Sequence, residues 1–126
     1  AAALDLPQGV IAFEWDLDAV PMAAAPRFSP LSRFPSVRRD LALVVTETMP
    51  VEALTQLIRE AAGAGLRECT LFDVYQGPGL EDGSKSVAFS LIFQDDERTL
   101  EDQEVDDVMA AIVRHVGIHA AARIRE

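Results

Sequence analysis

The sequence predicts one α+β domain, a four-stranded antiparallel sheet with two helices on one face, preceded by a short leading segment. From residue 37 onward, strand-like and helix-like segments follow in the order β-α-β-β-α-β. Each helix-like segment has only one apolar stripe, so both helices must cover the same face of the sheet. A Gly- and Pro-rich hairpin signal joins the two middle strands, which makes them antiparallel neighbours.

The first three elements have clear boundaries. Val37–Thr46 is apolar and ends in β-branched residues, which is typical of a strand. Thr48 predicts a helix cap, with Pro50 in the first turn, and Gly63 predicts the end of that helix. Apolar side chains recur between them at helical spacing: Val51, Leu54, Leu57, Ile58 and Ala61. Residues 66–76 predict the second strand.

The next elements follow a hairpin loop at residues 77–83. Residues 84–94 alternate apolar and small side chains, which predicts a third strand with one covered and one open face. Thr99, with Asp102 three residues later, predicts the capped start of a second helix, and Gly117 predicts its end. The buried stripe of this helix is Val105, Val108, Met109, Ile112 and Val116.

A last short strand at residues 121–125 completes the ferredoxin-like β-α-β-β-α-β order. Before it, residues 9–18 predict a separate short strand, and prolines follow that strand closely. Residues 1–20 are therefore interpreted as the remnant of a preceding domain. Residues 21–32 form a Pro/Ala-rich linker and residues 33–126 form the domain itself.

The segment L-F-D-V-Y-Q-G, residues 71–77, places an acid and a phenol two positions apart in the second strand. Alternate side chains of a strand share a face, so Asp73 and Tyr75 should stand together, with Phe72 and Val74 on the other face. A β-bulge near Leu71 would change this parity. The face without helices is predicted to carry Arg38, Asp40, Ala42, Asp73, Tyr75, Ser86, Ala88 and Ser90.

The composition limits the function classes. A net charge of −10 argues against a general nucleic-acid binder, although residues 19–39 contain four arginines and no acid. Eight acids lie within residues 95–107, where a solvated helix face is the simplest interpretation. Three features favour a cytoplasmic protein. The sequence has a single cysteine, Cys69, it has no apolar run of membrane-spanning length, and it has no secretory signal.

Residue patterns for catalysis and cofactors are missing from the sequence. It has no phosphate-binding glycine motif and no evident nucleophile–base pair. His115 and His119 are four residues apart, but Gly117 is expected to break the helix between them and no third ligand is near. We therefore expect no metal site and no catalytic site in this chain.

Four segments, in this order, resemble a known family: F-P-S-V-R-R-D-L-A, L-F-D-V-Y-Q-G, K-S-V-A-F-S-L-I-F-Q and R-T-L-E-D-Q-E-V. They are similar to the ferredoxin-fold anticodon-binding domain (FDX-ACB) that closes the beta chain of bacterial phenylalanine–tRNA ligase. The resemblance covers the chain from Ser32 to its end. The leading G-V-I-A-F-E-W-D-L-D resembles the closing strand of the catalytic-like domain that precedes it in that chain.

The resemblance implies a function beyond what the residues alone predict. The family's enzyme is an α2β2 tetramer that uses ATP and Mg²⁺ to attach phenylalanine to tRNA(Phe), and its alpha chain holds the synthetic site. The beta C-terminal domain holds the anticodon stem-loop, with no role for membrane or DNA. Carried over by motif, Asp73, Tyr75 and Ser86 are the residues that approach the first anticodon base, a guanine.

The chemistry of the residues agrees with that role. Guanine presents two adjacent donors on its Watson–Crick edge, and a carboxylate such as Asp73 offers two acceptors. A base stacked on Tyr75 would contribute about 1–3 kcal/mol. For both residues a structural role, in a salt bridge or in strand packing, is the alternative.

Three other residues join the predicted tRNA-binding set. Arg38 either meets the loop backbone or pairs with Asp40, and Pro35 either borders the site or anchors the linker together with Phe34. Ala88, like Ser86, either lines the site or is a small spacer in the sheet.

The same fold allows other functions. An ACT-like small-molecule module would need a glycine-rich turn after the first strand, where this chain has T-E-T-M-P. An acylphosphatase-like enzyme would need an asparagine, which the sequence lacks entirely. A structural module that braces a larger assembly remains a third alternative.

Overall fold

The computed structural model describes residues 11–21, 28 and 31–125, and the chain divides into two compact units, Ala1–Pro30 and Leu31–Glu126. The second unit has the predicted element order. Its strands and helices are β1 (Val37–Thr46), α1 (Val51–Ala62), β2 (Leu66–Tyr75), β3 (Ser84–Phe93), α2 (Asp102–Ala120) and β4 (Arg123–Ile124). The strands form one antiparallel sheet in the order β2-β3-β1-β4, which confirms the ferredoxin-like prediction.

Both helices cover the same face of the sheet, as predicted. The buried stripe of α1 (Leu54 and Ile58) and that of α2 (Val105, Ile112 and Val116) belong to one apolar core. The strands complete this core with alternate side chains: Leu41, Leu43, Val45, Val87, Phe89, Leu91 and Phe93. Within residues 31–125 no helix or strand covers the opposite face, which we call the open face.

Both helix starts differ from the prediction. The residue before α1 is Pro50, so Thr48 is not its cap. Helix α2 begins two residues later than a cap at Thr99 would require, because Glu101 is the N-cap and the Glu104 carboxylate accepts its backbone N–H at 3.0 Å. A capping box thus exists, but it is formed by Glu101 and Glu104.

Gly117 does not end α2, contrary to the prediction. The helix continues to Ala120, and Ala121 then takes the left-handed conformation with φ 48°. Val116 and Ala120 are both buried in the core. Their burial offsets the intrinsic cost of about 1 kcal/mol for a glycine inside a helix.

The predicted leading strand at residues 9–18 is wrong for the part that the structure describes. Residues 11–16 have no regular structure, and Leu17–Ala19 forms a single 3-10 turn that Asp16 caps through the N–H of Asp18. A strand needs a neighbouring strand for its backbone hydrogen bonds, and no described residue pairs with this segment. Residues 9 and 10 and most of the predicted linker, 21–32, lie outside the described residues.

No described helix is long and apolar enough to cross a membrane.

Candidate nucleic-acid interface

The pairing of β2 with β3 places the predicted acid and phenol on the open face. Asp73 lies opposite Ala88, and Tyr75 lies opposite Ser86. Ala88 and Ser86 alternate with Val87 and Phe89, which face the core. Asp73 and Tyr75 therefore share the open face, as the sequence predicted.

Phe72 departs from the prediction that it lies on the other face. The register of β2 shifts between Leu71 and Asp73, so Phe72 is an extra residue opposite β3. A bulge of this kind re-aims a side chain, and Phe72 lines the same groove as Ala88. The open face thus carries two aromatic side chains in place of the one expected.

A groove of about 700 Å³ lies on the open face and continues round the edge of β1 onto α2. Ala88, the pairing partner of Asp73, lines this groove. We call its open-face part, lined by Asp40, Ala42, Phe72, Ala88 and Arg125, the open-face groove. Its floor consists of small side chains from the two central strands, and a larger side chain borders it on each side. The shape suits a flat apolar group with polar atoms at its edge.

Tyr75 is held in a fixed position at the end of β2. Its hydroxyl donates a hydrogen bond to the backbone carbonyl of Pro78 at 2.9 Å. Gly77 passes so close that a Cβ there would lie 3.1 Å from the Tyr75 hydroxyl oxygen, and its φ of 151° also favours glycine. The half-buried ring is therefore positioned before any ligand arrives.

Arg125 is the residue of this surface that the sequence analysis missed. Its guanidinium carbon lies 4.8 Å from the centroid of the Tyr75 ring, which is a cation–π contact of about 0.5–1 kcal/mol at an exposed site. The backbone N–H of Arg125 donates to the carbonyl of Ala42 at 2.9 Å and so extends the pairing of β4. The predicted strand at 121–125 was the available signal, since its parity places Arg125 on the open face.

Ser86 and Ala88 lie at the bottom of this surface. They are only 3% and 9% exposed, although no helix covers them. The larger side chains around them, Tyr75 and Arg125 among them, therefore shield them from solvent. Ser86 and Ala88 set the depth of the site, and a ligand reaches them only when that cover is displaced.

The two carboxylates of the open face differ in their partners. Asp73 is exposed and forms no ion pair with any residue of the described ranges. Asp40 accepts from Arg38 at 3.0 Å, and both side chains are more than half exposed. The pairing alternative for Arg38 is thus present in the structure, whereas Asp73 has no such ion pair among the described residues.

Arg38 and Pro35 lie at a distance from the predicted site residue Tyr75. Arg38 pairs with Ile92, whereas Val44 pairs with Ser86, so six residues or roughly 20 Å of β1 separate Arg38 from the level of Tyr75. Pro35 precedes β1 and is farther still. The adjacent Phe34 carbonyl accepts from the Gln94 amide at 2.7 Å, which supports the anchoring alternative for this segment.

A sequence model of the ferredoxin-fold anticodon binding domain matches residues 32–125, which include every element of this sheet. The chain belongs to this family. It is 46% identical over 123 residues to the phenylalanine–tRNA ligase beta subunit of Methylococcus capsulatus, and this match covers 98% of the chain and 16% of that relative. The corresponding subunit of Xylella fastidiosa is 48% identical over 97% of the chain and 15% of its own length. The chain thus spans about a sixth of the relatives that it matches.

Two other arginines of this anticodon-binding-family domain pair with the acidic run at the start of α2. Arg39 contacts Asp102 at 3.1 Å and Asp106 at 3.3 Å. Arg98 donates to both oxygens of Glu104, each at 2.7 Å. Arg98 and the backbone N–H of Glu101 lower the pKa of Glu104 to about 2. Part of the acidic run is therefore structural, and it is not simply a solvated helix face.

His115 and His119 lie on one continuous helix, contrary to the prediction, because α2 continues through Gly117. Their ring centroids are 4.3 Å apart, and a Glu60 oxygen lies 3.5 Å from His115 Nε2. Even so, no group of three or more His, Cys, Asp or Glu side chains within the described ranges is arranged to hold a metal ion. Cys69 is half-buried, and this burial raises the pKa of its thiol, as expected for a core-filling cysteine.

Proposed function

We propose that the open face of this domain binds the anticodon stem-loop of tRNA(Phe). One observation carries the proposal: Asp73, which has no ion-pair partner among the described residues, shares the open face with a pre-positioned Tyr75 and lies opposite Ala88, which lines the open-face groove. Sequence-specific RNA readers take unstacked loop bases, stack them on aromatic rings and read their Watson–Crick edges. The family to which the chain belongs supports the same function.

The first anticodon base, a guanine, is the proposed ligand of this site. Asp73 would accept hydrogen bonds from the two adjacent donors of its Watson–Crick edge, and adenine lacks this donor pair. Tyr75 would stack on the base, and Phe72 would border it from the bulge. Ser86 and Ala88 would form the floor, where larger side chains would keep the base out.

An RNA strand that continues along β1 would meet Arg38 and then Pro35. Arg38 is exposed on the same face, and exchanging its weak surface pair with Asp40 for a phosphate contact would cost little. These two residues would contribute affinity without base selectivity, because even Arg38 lies four residues, roughly 13 Å, along β1 from the level of Asp73.

The whole protein is proposed to be the beta chain of a phenylalanine–tRNA ligase. The matched relatives bear that name, and this chain spans 15–16% of their length. The complete enzyme would be a cytoplasmic α2β2 tetramer that uses ATP and Mg²⁺, with the synthetic site on the alpha chain. Residues 1–20 would then be the end of the preceding domain, residues 21–32 a linker, and residues 33–126 the non-catalytic tRNA-binding part.

The test is an exchange of Asp73 for Asn in the 126-residue chain. Binding of anticodon stem-loop RNAs with each base at the first anticodon position is measured at low salt, because a net charge of −10 opposes RNA. The wild type should prefer guanine over adenine. A bidentate contact provides roughly 1–3 kcal/mol of base discrimination, so Asp73→Asn should reduce this preference by about five- to 150-fold.

The matched control is Asp107→Asn, which removes the same charge from an exposed position on α2. The charge change alone should tighten the binding of every RNA slightly in both variants, but only Asp73→Asn should also lose the guanine contact and with it the base preference. An unchanged preference for guanine in Asp73→Asn would refute the proposed role of Asp73. Equal binding of all four RNAs by the wild type would refute guanine recognition altogether.

A further inference from the structure

The guanidinium of Arg125 lies over the ring of Tyr75, on which the proposed function requires a base to stack. The Arg125 guanidinium lies 4.8 Å from the centroid of the Tyr75 ring. The two side chains come from opposite edges of the sheet, since Tyr75 belongs to β2 and Arg125 directly follows β4. The contact therefore spans the two central strands at the level where Ser86 and Ala88 are buried.

A stacked base and this guanidinium cannot share the same face of the ring in its present position. Successive stacked layers need about 3.4 Å each, so a base between the two groups would require a separation well above 4.8 Å. The ring itself has little freedom, because Pro78 holds its hydroxyl and Gly77 packs against it. Arg125, whose side chain is long and exposed, is the partner that can move.

The charge of Arg125 also lacks a carboxylate partner within residues 31–125. Its neighbours on the same face differ in this respect, since Arg123 pairs with Glu81 at 3.1 Å and Arg38 pairs with Asp40. A guanidinium is permanently charged and matches phosphate oxygens with two parallel donors. Among the described residues, Arg125 is thus a cation that lines the groove and has no ion-pair partner.

We propose that Arg125 is an RNA-binding residue that changes partner when RNA binds. In the free protein its guanidinium covers the Tyr75 ring and shields Ser86 and Ala88. When a base stacks on Tyr75, the guanidinium leaves the ring and binds a phosphate of the same loop. This inference rests on the proposed function, and it adds a residue that gates the site and supplies its phosphate contact.

The free protein provides the first test. In the NMR spectrum of the 126-residue chain, the side-chain protons of Arg125 should be shifted upfield by the ring of Tyr75, the only tyrosine of the chain. Tyr75→Leu should abolish this shift while the remaining amide spectrum stays dispersed. Saturation with anticodon stem-loop RNA should abolish it in the wild type as well. If the shift persists in the saturated complex, Arg125 does not leave the Tyr75 ring when RNA binds, and the proposal is wrong.

The salt dependence of RNA affinity provides the second test. Arg125→Gln should weaken binding by about three- to tenfold at low salt for all four first bases, and should reduce the salt slope by about one. Arg125→Lys keeps the charge and should retain the slope. The control Arg59→Gln removes an equal charge from α1 on the covered side and should leave the slope unchanged.

The outcomes separate this inference from the function on which it rests. If the wild type selects guanine but Arg125→Gln keeps both affinity and salt slope, only the role of Arg125 is overturned. If Arg125→Gln loses guanine preference together with affinity, Arg125 reads the base and the phosphate assignment is wrong. If the wild type binds none of the RNAs, the proposed function and this inference both fail. Uniform weakening with a smaller slope supports the proposal.

Discussion

Ala88 and Phe89 are adjacent in β3 and both are buried, at 9% and 1% exposure, but they lie on opposite faces of the sheet. Phe89 lies under two helices whose apolar stripes pack against it as part of one core. Ala88 lies on the open face, where no helix is present and where the side chains around it provide the cover. Similar burial therefore has two different physical causes in neighbouring residues.

The difference shows which surface is available for a ligand. Helices that are anchored by a shared apolar core cannot leave the sheet without unfolding the domain. Side chains such as Arg125 move by changing rotamers, at a cost of at most a weak cation–π contact. The helix-covered face therefore determines stability, and the open face is free to bind.

The largest effect is expected for Phe89→Ala, which breaks the covered face. Removing a fully buried phenylalanine leaves a cavity and should lower the free energy of unfolding by about 3–5 kcal/mol. Urea denaturation of the 126-residue chain measures this loss. In the absence of urea, and at a temperature at which the variant is folded, its RNA affinity should equal that of the wild type. A loss below about 1 kcal/mol would contradict the assignment of Phe89 to the core.

A smaller effect, on binding and not on stability, is expected for Ala88→Val. Valine suits a strand, so the free energy of unfolding should change by less than about 1 kcal/mol. Its added methyl groups would raise the floor of the open-face groove, and the affinity for anticodon stem-loop RNA should fall about tenfold. Fluorescence anisotropy with labelled RNA measures this change.

The control for Ala88→Val is Thr70→Val, an exchange at an exposed position of β2 outside the groove. It also introduces a valine into the sheet but should leave RNA affinity unchanged. Equal affinity of Ala88→Val and the wild type would show that the base does not approach the floor of the groove. The distinction between the two faces would then not extend to function.

Local patterns were sufficient for much of this architecture. The alternation of small and apolar residues in 84–94 predicted which side chains of β3 face the helices, because strand parity is a property of the chain itself. The shared face of Asp73 and Tyr75 follows from the same rule. The predicted faces failed at Phe72, because a bulge depends on how β2 pairs with β3 and not on β2 alone.

The details that escaped prediction depend on distant contacts. Gly117 signals a helix end, but burial of Val116 and Ala120 against the sheet keeps α2 intact. The contact of Arg125 with Tyr75 joins residues far apart in sequence on opposite edges of the sheet, so no local motif predicts it. The candidate site was therefore predictable as a face, but the contact between side chains across that face was not.

Carboxylates of the two regions also differ, and this difference leads to the smallest expected effect. Asp73 on the open face has no arginine partner within the described residues, whereas Glu104 at the start of α2 accepts two hydrogen bonds from Arg98 at 2.7 Å. These bonds, together with the N–H of Glu101, lower the pKa of Glu104 from 4.5 to about 2. A carboxyl group whose pKa is lower in the folded state stabilises the fold above its unfolded pKa.

The contribution of Glu104 to stability should therefore be complete above about pH 4.5 and should disappear as the pH falls through about 2. Glu104→Gln removes this titration, so the free energy of unfolding should vary less steeply with pH in that window than it does for the wild type. Urea denaturation between pH 2 and 6 measures the slope.

Asp107→Asn, on the same helix but without an arginine partner among the described residues, serves as the control. Identical slopes for Glu104→Gln and the wild type would mean that the Arg98 contact does not persist in solution. The acids of α2 would then be no more fixed than Asp73.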